Sequence, residues 1–246
     1  MTNKKIGIVM HSYEGGALCY TTACKRGVEL LGPHMHPTIL MSSIPMGLSM
    51  EAWENDDYNV ISFHLMEGIQ QVKQSGADFF ICPDNTAHIV LEKIIGDVPI
   101  PGIHIADVVC NEILSNGWQK VGLLGTKWTM EGEIYASALK RNWLELITPE
   151  PTDRLKINDI IFEELCNGIF KEVSINFFIN VITKLKREGA ECVILGCTEI
   201  PLIINTNNSP LPILDSTRLL AKKAVEYAVS NTHETSKQWI DLSKSN

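Results

Sequence analysis

The chain has 246 residues, of which 45% are apolar and 20% are charged, and its formal net charge at pH 7 is −8. This composition is typical of a folded globular protein and excludes a disordered chain, and the length allows two domains of about 100–150 residues. The acidic balance, without any block of Lys and Arg, makes nucleic acid an unexpected partner.

The apolar runs are short. None approaches the roughly 18–20 residues of a membrane-spanning helix, and the first is too short for a signal-peptide core. The seven cysteines show no spacing typical of a disulfide framework or a metal site. We therefore expect a cytoplasmic protein with free thiols, no metal and no membrane partner.

Strand-like and helix-like segments alternate along the chain, which predicts parallel sheets covered by helices on both faces. The polar tail from Asn231 contains Trp239, Ile240 and Leu242, and we expect it to be mobile or to lie across a neighbour. In chain order the predicted segments are a strand at 5–12, a helix ending at Gly32, a strand at 37–43, a helix at 51–75, a strand at 78–85, a helix at 87–96, a strand at 99–105, a helix at 106–117 and a strand at 120–126.

The series then repeats, with offsets of about 115, 113 and 111 residues between matching segments. This repeat predicts an α/β fold of two pseudo-symmetric Rossmann-like domains, each with a mostly parallel sheet flanked by helices. The first domain would comprise residues 1–105 plus 214–246, with a returning C-terminal helix, and the second would comprise residues 106–213. The matching segments are 4–12 with 119–127, 73–86 with 186–199, and 98–107 with 209–217.

Two of the repeated segments end in chemically useful side chains. Both begin Gly-Ala-acidic, and Asp84 lies eight residues after Gly76 just as Cys197 lies eight residues after Gly189. Ligands of open parallel sheets bind beyond the carboxyl ends of the strands. If the halves face each other across a cleft, Asp84 and Cys197 could transfer protons on opposite faces of one carbon, which suits inversion of configuration.

Each of these residues also has a simpler interpretation. Asp84 in Pro-Asp-Asn could be a turn or capping residue. Cys197 could be an ordinary buried thiol, although a helix starting just after it would lower the thiol pKa.

Four segments resemble the aspartate/glutamate racemase family, and the resemblance covers about residues 4–229. It implies a cofactor-independent amino-acid racemase without pyridoxal phosphate, with its active site in the cleft between two pseudo-symmetric domains. It also implies a homodimer. The four segments are DNTAH at 84–88, LLGT at 123–126, INDIIFEELC at 157–166 and LGCTEIPLI at 195–203.

The chain departs from the family pattern in three ways. Asp84 stands where the family has its first catalytic Cys, and Cys82 should lie deeper on the same side of the strand. Residues 38–72 contain no Lys or Arg to pair with a second substrate carboxylate. Cys166 lies about where some members carry a Lys.

The leading hypothesis is therefore two-base proton transfer between Asp84 and Cys197 on aspartate, glutamate or a related amino acid. His11 could tune a neighbouring group. Two different functions stay open: a relative acting as a single-Cys decarboxylase, isomerase or hydrolase, and a non-catalytic amino-acid-binding protein. The residues expected to bind substrate are Ser12, Tyr13, Asn85, Thr86, Thr126 and Thr198.

Overall fold

The computed structural model describes residues 3–231 and 238–242. The chain divides into two compact units, one formed by Met1–Val108 with Thr217–Asn246 and the other by Val109–Ser216. None of the helices within the described ranges is both long and apolar enough to cross a membrane.

The first unit contains a four-stranded sheet with the strand order β2-β1-β3-β4, in which every pairing is parallel. Its core includes apolar residues of β1, β3 and α10. The chain leaves this unit within α5 and returns at the start of α10. The elements are β1 (Ile6–Met10), α1 (Tyr13–Leu31), β2 (Ile39–Ser43), α2 (Gly47–Glu54), α3 (Tyr58–Gln74), β3 (Phe79–Ile81), α4 (His88–Ile94), β4 (Gly102–Ile103), α5 (Ile105–Ser115) and α10 (Ser216–Val229).

The second unit contains another four-stranded parallel sheet, with the order β6-β5-β7-β8. The predicted fold class is thus confirmed: each unit has a parallel sheet flanked by helices. The elements are β5 (Lys120–Gly125), α6 (Lys127–Glu131), α7 (Glu133–Arg141), β6 (Glu145–Ile147), α8 (Pro151–Glu163), α9 (Glu172–Arg187), β7 (Cys192–Gly196) and β8 (Ile213–Asp215), with short 3-10 helices at Leu165–Asn167 and Ile200–Leu202.

Residues that are equivalent in the sequence repeat form equivalent strand pairs in the two sheets. Ile6 pairs with Phe79 between β1 and β3, and Val121 pairs with Cys192 between β5 and β7. These two pairs are related by the offsets of 115 and 113 residues found in the sequence. The halves therefore share strand order and residue-by-residue pairing.

The repeated Gly-Ala-acidic motif has a structural role in each unit. Gly76 and Gly189 both have a φ of 97°, a conformation that favours glycine and ends the preceding helix. The acidic side chain then accepts a backbone N–H at the start of the neighbouring strand, or from the residue just before it. Asp78 accepts from Lys5 at 2.7 Å, and Glu191 accepts from Lys120 at 2.9 Å. The motif therefore positions β3 and β7 and does not itself carry the chemistry.

The helix predicted at 51–75 is wrong as a single element, because it is two helices separated by residues 55–57. Asp57 is the N-cap of α3 and accepts the backbone N–H groups of Asn59 and Val60. Asp56 adopts a positive φ of 52°. An Asp that caps a helix stabilises a fresh start rather than a continuation.

The C-terminal segment packs on its own unit. Trp239 forms a parallel bridge with Gly102, and Ile240 donates its N–H to the Gly102 carbonyl at 2.8 Å. Ile240 and Leu242 are buried in the core of the first unit. For residues 238–242 the expectation of a mobile tail, or of one lying across a neighbour, is therefore wrong; the rest of the tail, 232–237 and 243–246, lies outside the described residues.

Candidate active site

Asp84 lies in the loop that joins the end of β3 to α4. Its Oδ1 accepts the backbone N–H groups of Thr86 at 3.0 Å and Ala87 at 3.4 Å. The side chain keeps 27% of its surface exposed. Asp84 is thus a turn-capping residue, as the simpler interpretation predicted, and it still presents a carboxylate at the carboxyl end of a central strand.

His11 is the partner of Asp84. It follows β1, the strand beside β3, and its Nδ1 lies 3.3 Å from Asp84 Oδ2. The His11 side chain is only 3% exposed. Its Nε2 is buried and has no hydrogen-bond partner within the described part of the chain. The sequence suggested that His11 could tune a neighbouring group; the structure places Asp84 in contact with it, and a tuning role stays a prediction.

Cys82 lies deeper than Asp84, as expected. Burial, reinforced by the nearby charge of Asp84, raises the pKa of the Cys82 thiol well above its ordinary value. Its backbone carbonyl accepts a hydrogen bond from Nε2 of the buried His88 at 3.0 Å. Burial lowers the pKa of His88 well below its ordinary value, with a further contribution from His104. Cys82 and His88 therefore form a neutral packing layer under the Asp84 loop.

Cys197 follows the last residue of β7. Its Sγ donates a hydrogen bond to Oε2 of Glu199 at 2.9 Å, and both side chains are buried. Burial first, and then the negative charge of Glu199, raise the pKa of the Cys197 thiol well above its ordinary value. Sequence reasoning did not single out Glu199, although it lies two residues after the thiol on the same turn.

The expectation of a lowered Cys197 pKa is wrong. It assumed a helix starting just after the residue, but the segment that follows is a 3-10 helix of three residues, Ile200–Leu202. So short an element supplies little dipole. The buried carboxylate of Glu199 acts in the opposite direction and favours the protonated thiol.

The strand ends beside Cys197 approach each other closely. A Cβ on Gly125 would lie 2.9 Å from the carbonyl oxygen of Gly196, nearer than real Cβ atoms come to such an oxygen. Thr126, the next residue after β5, is the N-cap of α6 and accepts the N–H of Thr129. Thr126 and Thr198 are both buried. The ends of β5 and β7 thus bring Thr126, Cys197 and Thr198 to one edge of the second sheet.

The predicted binding residues of the first unit fall into two groups. Asn85 and Thr86 are buried beside Asp84 in the loop after β3. Ser12 is the N-cap of α1, accepting the N–H of Gly15, and Tyr13 is 68% exposed. The role of each in binding substrate stays a prediction.

Comparison with known proteins identifies the family. The family model described as Asp/Glu/Hydantoin racemase matches residues 10–224, which is most of the chain. The chain belongs to this family. The matched region includes both Asp84 and Cys197.

Individual relatives agree with the match to the Asp/Glu/hydantoin racemase family. A Yersinia pestis protein proposed to be an Asp/Glu racemase is 33% identical, with a TM-score of 0.84, over 92% of this chain and 100% of that chain. An aspartate racemase homologue from Pyrococcus horikoshii OT3 is 31% identical, with a TM-score of 0.77, over 92% and 99%. The broad specificity amino-acid racemase RacX of Bacillus subtilis is 26% identical over 180 residues, which is 69% of this chain and 73% of RacX. These matches support an amino-acid racemase, an isomerase, and do not favour a decarboxylase, a hydrolase or a non-catalytic binding protein.

Proposed function

We propose that the protein is a cofactor-independent amino-acid racemase in which Asp84 and Cys197 transfer protons on opposite faces of the α-carbon. One observation carries the assignment of these residues. Each follows the central strand that begins with the repeated Gly-Ala-acidic motif, at equivalent positions of the repeat, and each contacts a second titratable side chain. The contacts are 3.3 Å from Asp84 to His11 and 2.9 Å from Cys197 to Glu199.

The proposed reaction is balanced in protons. One group removes the α-proton, so that the C–H electron pair is delocalised into the α-carboxylate, and the other group delivers its own proton to the opposite face. The roles reverse for the other enantiomer. N–H and hydroxyl donors directed at the α-carboxylate stabilise the charge that develops there. We assign this role to Asn85, Thr86, Thr126 and Thr198.

The charged residues of one segment bear on the substrate class. Residues 38–72, which include β2, α2 and most of α3, contain no Lys or Arg. A buried carboxylate without a cationic partner is costly, so this segment gives no support to a strict requirement for a dicarboxylate. We propose aspartate, glutamate or a related amino acid as the substrate, to be tested within a broad panel.

The test is proton NMR of L- and D-amino acids incubated with the protein in D₂O. We expect loss of the α-proton signal and appearance of the opposite enantiomer for at least one amino acid. Cys197→Ala should lower inversion by about 10²-fold or more, because a proton-transfer group is removed. Cys24→Ala, which removes a partly buried thiol of α1, is the matched control and should retain activity.

Asp84→Asn separates the two faces. We expect this variant to lose inversion, and α-proton exchange that survives from one enantiomer only would assign that face to Cys197. If the folded wild-type protein neither exchanges nor inverts any amino acid in the panel, the racemase proposal is wrong.

A further inference from the structure

The contact between His11 and Asp84 adds a third residue to the proposed pair of Asp84 and Cys197. Both residues belong to the first unit, at the ends of adjacent strands β1 and β3. Their contact spans 73 residues of sequence. The question is which of the two groups carries the proton between them.

The other hydrogen bonds of Asp84 bear on which residue is the donor in its contact with His11. Asp84 Oδ1 already accepts two backbone N–H groups, from Thr86 and Ala87. With Asp84 ionised, as a resting base must be, its carboxylate only accepts, and the third contact, at Oδ2, then places the proton on His11 Nδ1. A neutral imidazole then leaves Nε2 as a bare lone pair. Protonated His11 would instead bury an N–H without a partner among the described residues, which is the costlier arrangement.

Cys197 starts in the protonated state, whereas Asp84 starts as an ionised carboxylate. Cys197 Sγ donates a hydrogen bond to Glu199 Oε2, so the resting thiol is protonated. Burial and the Glu199 charge both raise the pKa of Cys197, in agreement with this geometry.

We propose that His11 is a positioning residue, a neutral N–H donor that holds Asp84 as the resting base, opposite Cys197 as the resting acid. This inference rests on the proposed function. In the first turnover Asp84 takes the α-proton and Cys197 delivers its thiol proton to the far face. The enzyme then holds a protonated Asp84 and a Cys197 thiolate, which process the other enantiomer or exchange with water. His11 keeps its single proton on Nδ1 throughout, and one C–H bond breaks for each that forms.

The test uses two substitutions of His11. His11→Leu fills a similar volume without a donor, whereas His11→Asn supplies a neutral side-chain N–H that cannot carry a transferred proton. We expect His11→Leu to lower kcat by roughly 10-fold to 10²-fold with KM changed less than about threefold, because Asp84 is misplaced and the substrate contacts are not. His11→Asn should recover most of the loss. His64→Asn, at another His–carboxylate pair of the first unit (Nδ1 to Glu67 Oε2, 3.9 Å), is the matched control and should behave as wild type.

The decisive readout is the ratio of α-proton exchange to inversion in D₂O. For the enantiomer that Cys197 deprotonates, His11→Leu should raise this ratio, because Cys197 returns a deuteron to the same face when Asp84 fails to deliver. In an Asp84→Asn background, His11→Leu should have little further effect. This non-additivity keeps the test informative even if the single variant is less stable.

Three results would overturn the inference. The first is that His11→Leu matches wild type. The second is that His11→Leu lowers exchange and inversion by the same factor, as a general structural defect would. The third is that His11→Asn is as impaired as His11→Leu, which would make the imidazole itself a proton carrier. These results are distinct from failure of the proposed function, in which wild-type protein shows neither exchange nor inversion.

Discussion

Replacing Glu199 by Gln tests the environment of the candidate catalytic thiol. The substitution keeps the size of the side chain and removes one negative charge that lies 2.9 Å from Cys197 Sγ. Burial is the larger cause of the raised Cys197 pKa and is unchanged, whereas the charge of Glu199 is the next cause and is lost. We therefore expect the Cys197 pKa to fall and the thiolate to be more populated at any given pH.

The size of the effect follows from Coulomb's law. Two unit charges at 2.9 Å repel by at least about 1 kcal/mol even with the dielectric constant of water, and by more in a partly desolvated site. Losing this repulsion raises the thiolate population by at least about fivefold. The N–H groups of the Gln side chain can also donate to the thiolate, which acts in the same direction.

The assay is the rate of alkylation of Cys197 by iodoacetamide across a pH series, followed by mass spectrometry of the peptide that contains Cys197. Only the thiolate reacts, so the rate rises with pH, and the Glu199→Gln curve should lie at lower pH than the wild-type curve. Glu188→Gln removes an exposed charge from the same unit and is the matched control. If Glu199→Gln slows alkylation or leaves it unchanged while Glu188→Gln behaves as wild type, the electrostatic reasoning is refuted.

Two further predictions concern the packing under the Asp84 loop. Gly102→Ala should lower the free energy of unfolding by about 1–3 kcal/mol in urea titrations followed by circular dichroism, because the new Cβ would lie 2.6 Å from Phe80 and 2.8 Å from Trp239. Gly96→Ala, whose Cβ meets nothing within 4 Å, should stay within about 0.5 kcal/mol of wild type, and equal effects at the two glycines would contradict the packing argument. Trp239→Ala should cost about 2 kcal/mol in the same titration, since its ring stacks on His88 at 5.6 Å but is only partly buried; an unchanged unfolding midpoint would show that the C-terminal segment does not stabilise the unit.

The fold was predictable because its signals are local and occur twice. Continuous apolar runs indicate strands covered on both faces, and a glycine after a helical pattern marks the end of the helix. The offset between the repeats also predicts which residues pair across neighbouring strands, since residues that match in sequence occupy matching positions in the two sheets. The break before Asp57 was missed because the hydrophobic pattern continues past it, while the N-cap contacts that start α3 form only once the chain has folded.

The candidate site was predictable to the extent that it follows the strands. Asp84 and Cys197 could be placed at strand ends from the repeat alone. The contact of His11 with Asp84 joins residues 73 positions apart, so it depends on β1 and β3 being neighbours in the sheet. Glu199 was within reach of sequence reasoning, because it lies on the same turn as the thiol.

The two halves differ in the source of the group that partners each candidate base. In the first unit, Asp84 uses Oδ1 to cap its own loop, so its remaining oxygen is bound from the adjacent strand by His11. In the second unit, the thiol of Cys197 is bound by the carboxylate of Glu199 on its own turn. A carboxylate therefore lies at each strand end. It is the partly exposed candidate base in one unit and the buried acceptor of the thiol hydrogen bond in the other. The family resemblance implies that Asp84 replaces a thiol, and such a replacement would fit the neutral imidazole donor that we propose for His11, because a carboxylate accepts such a bond well and a protonated thiol does so only weakly.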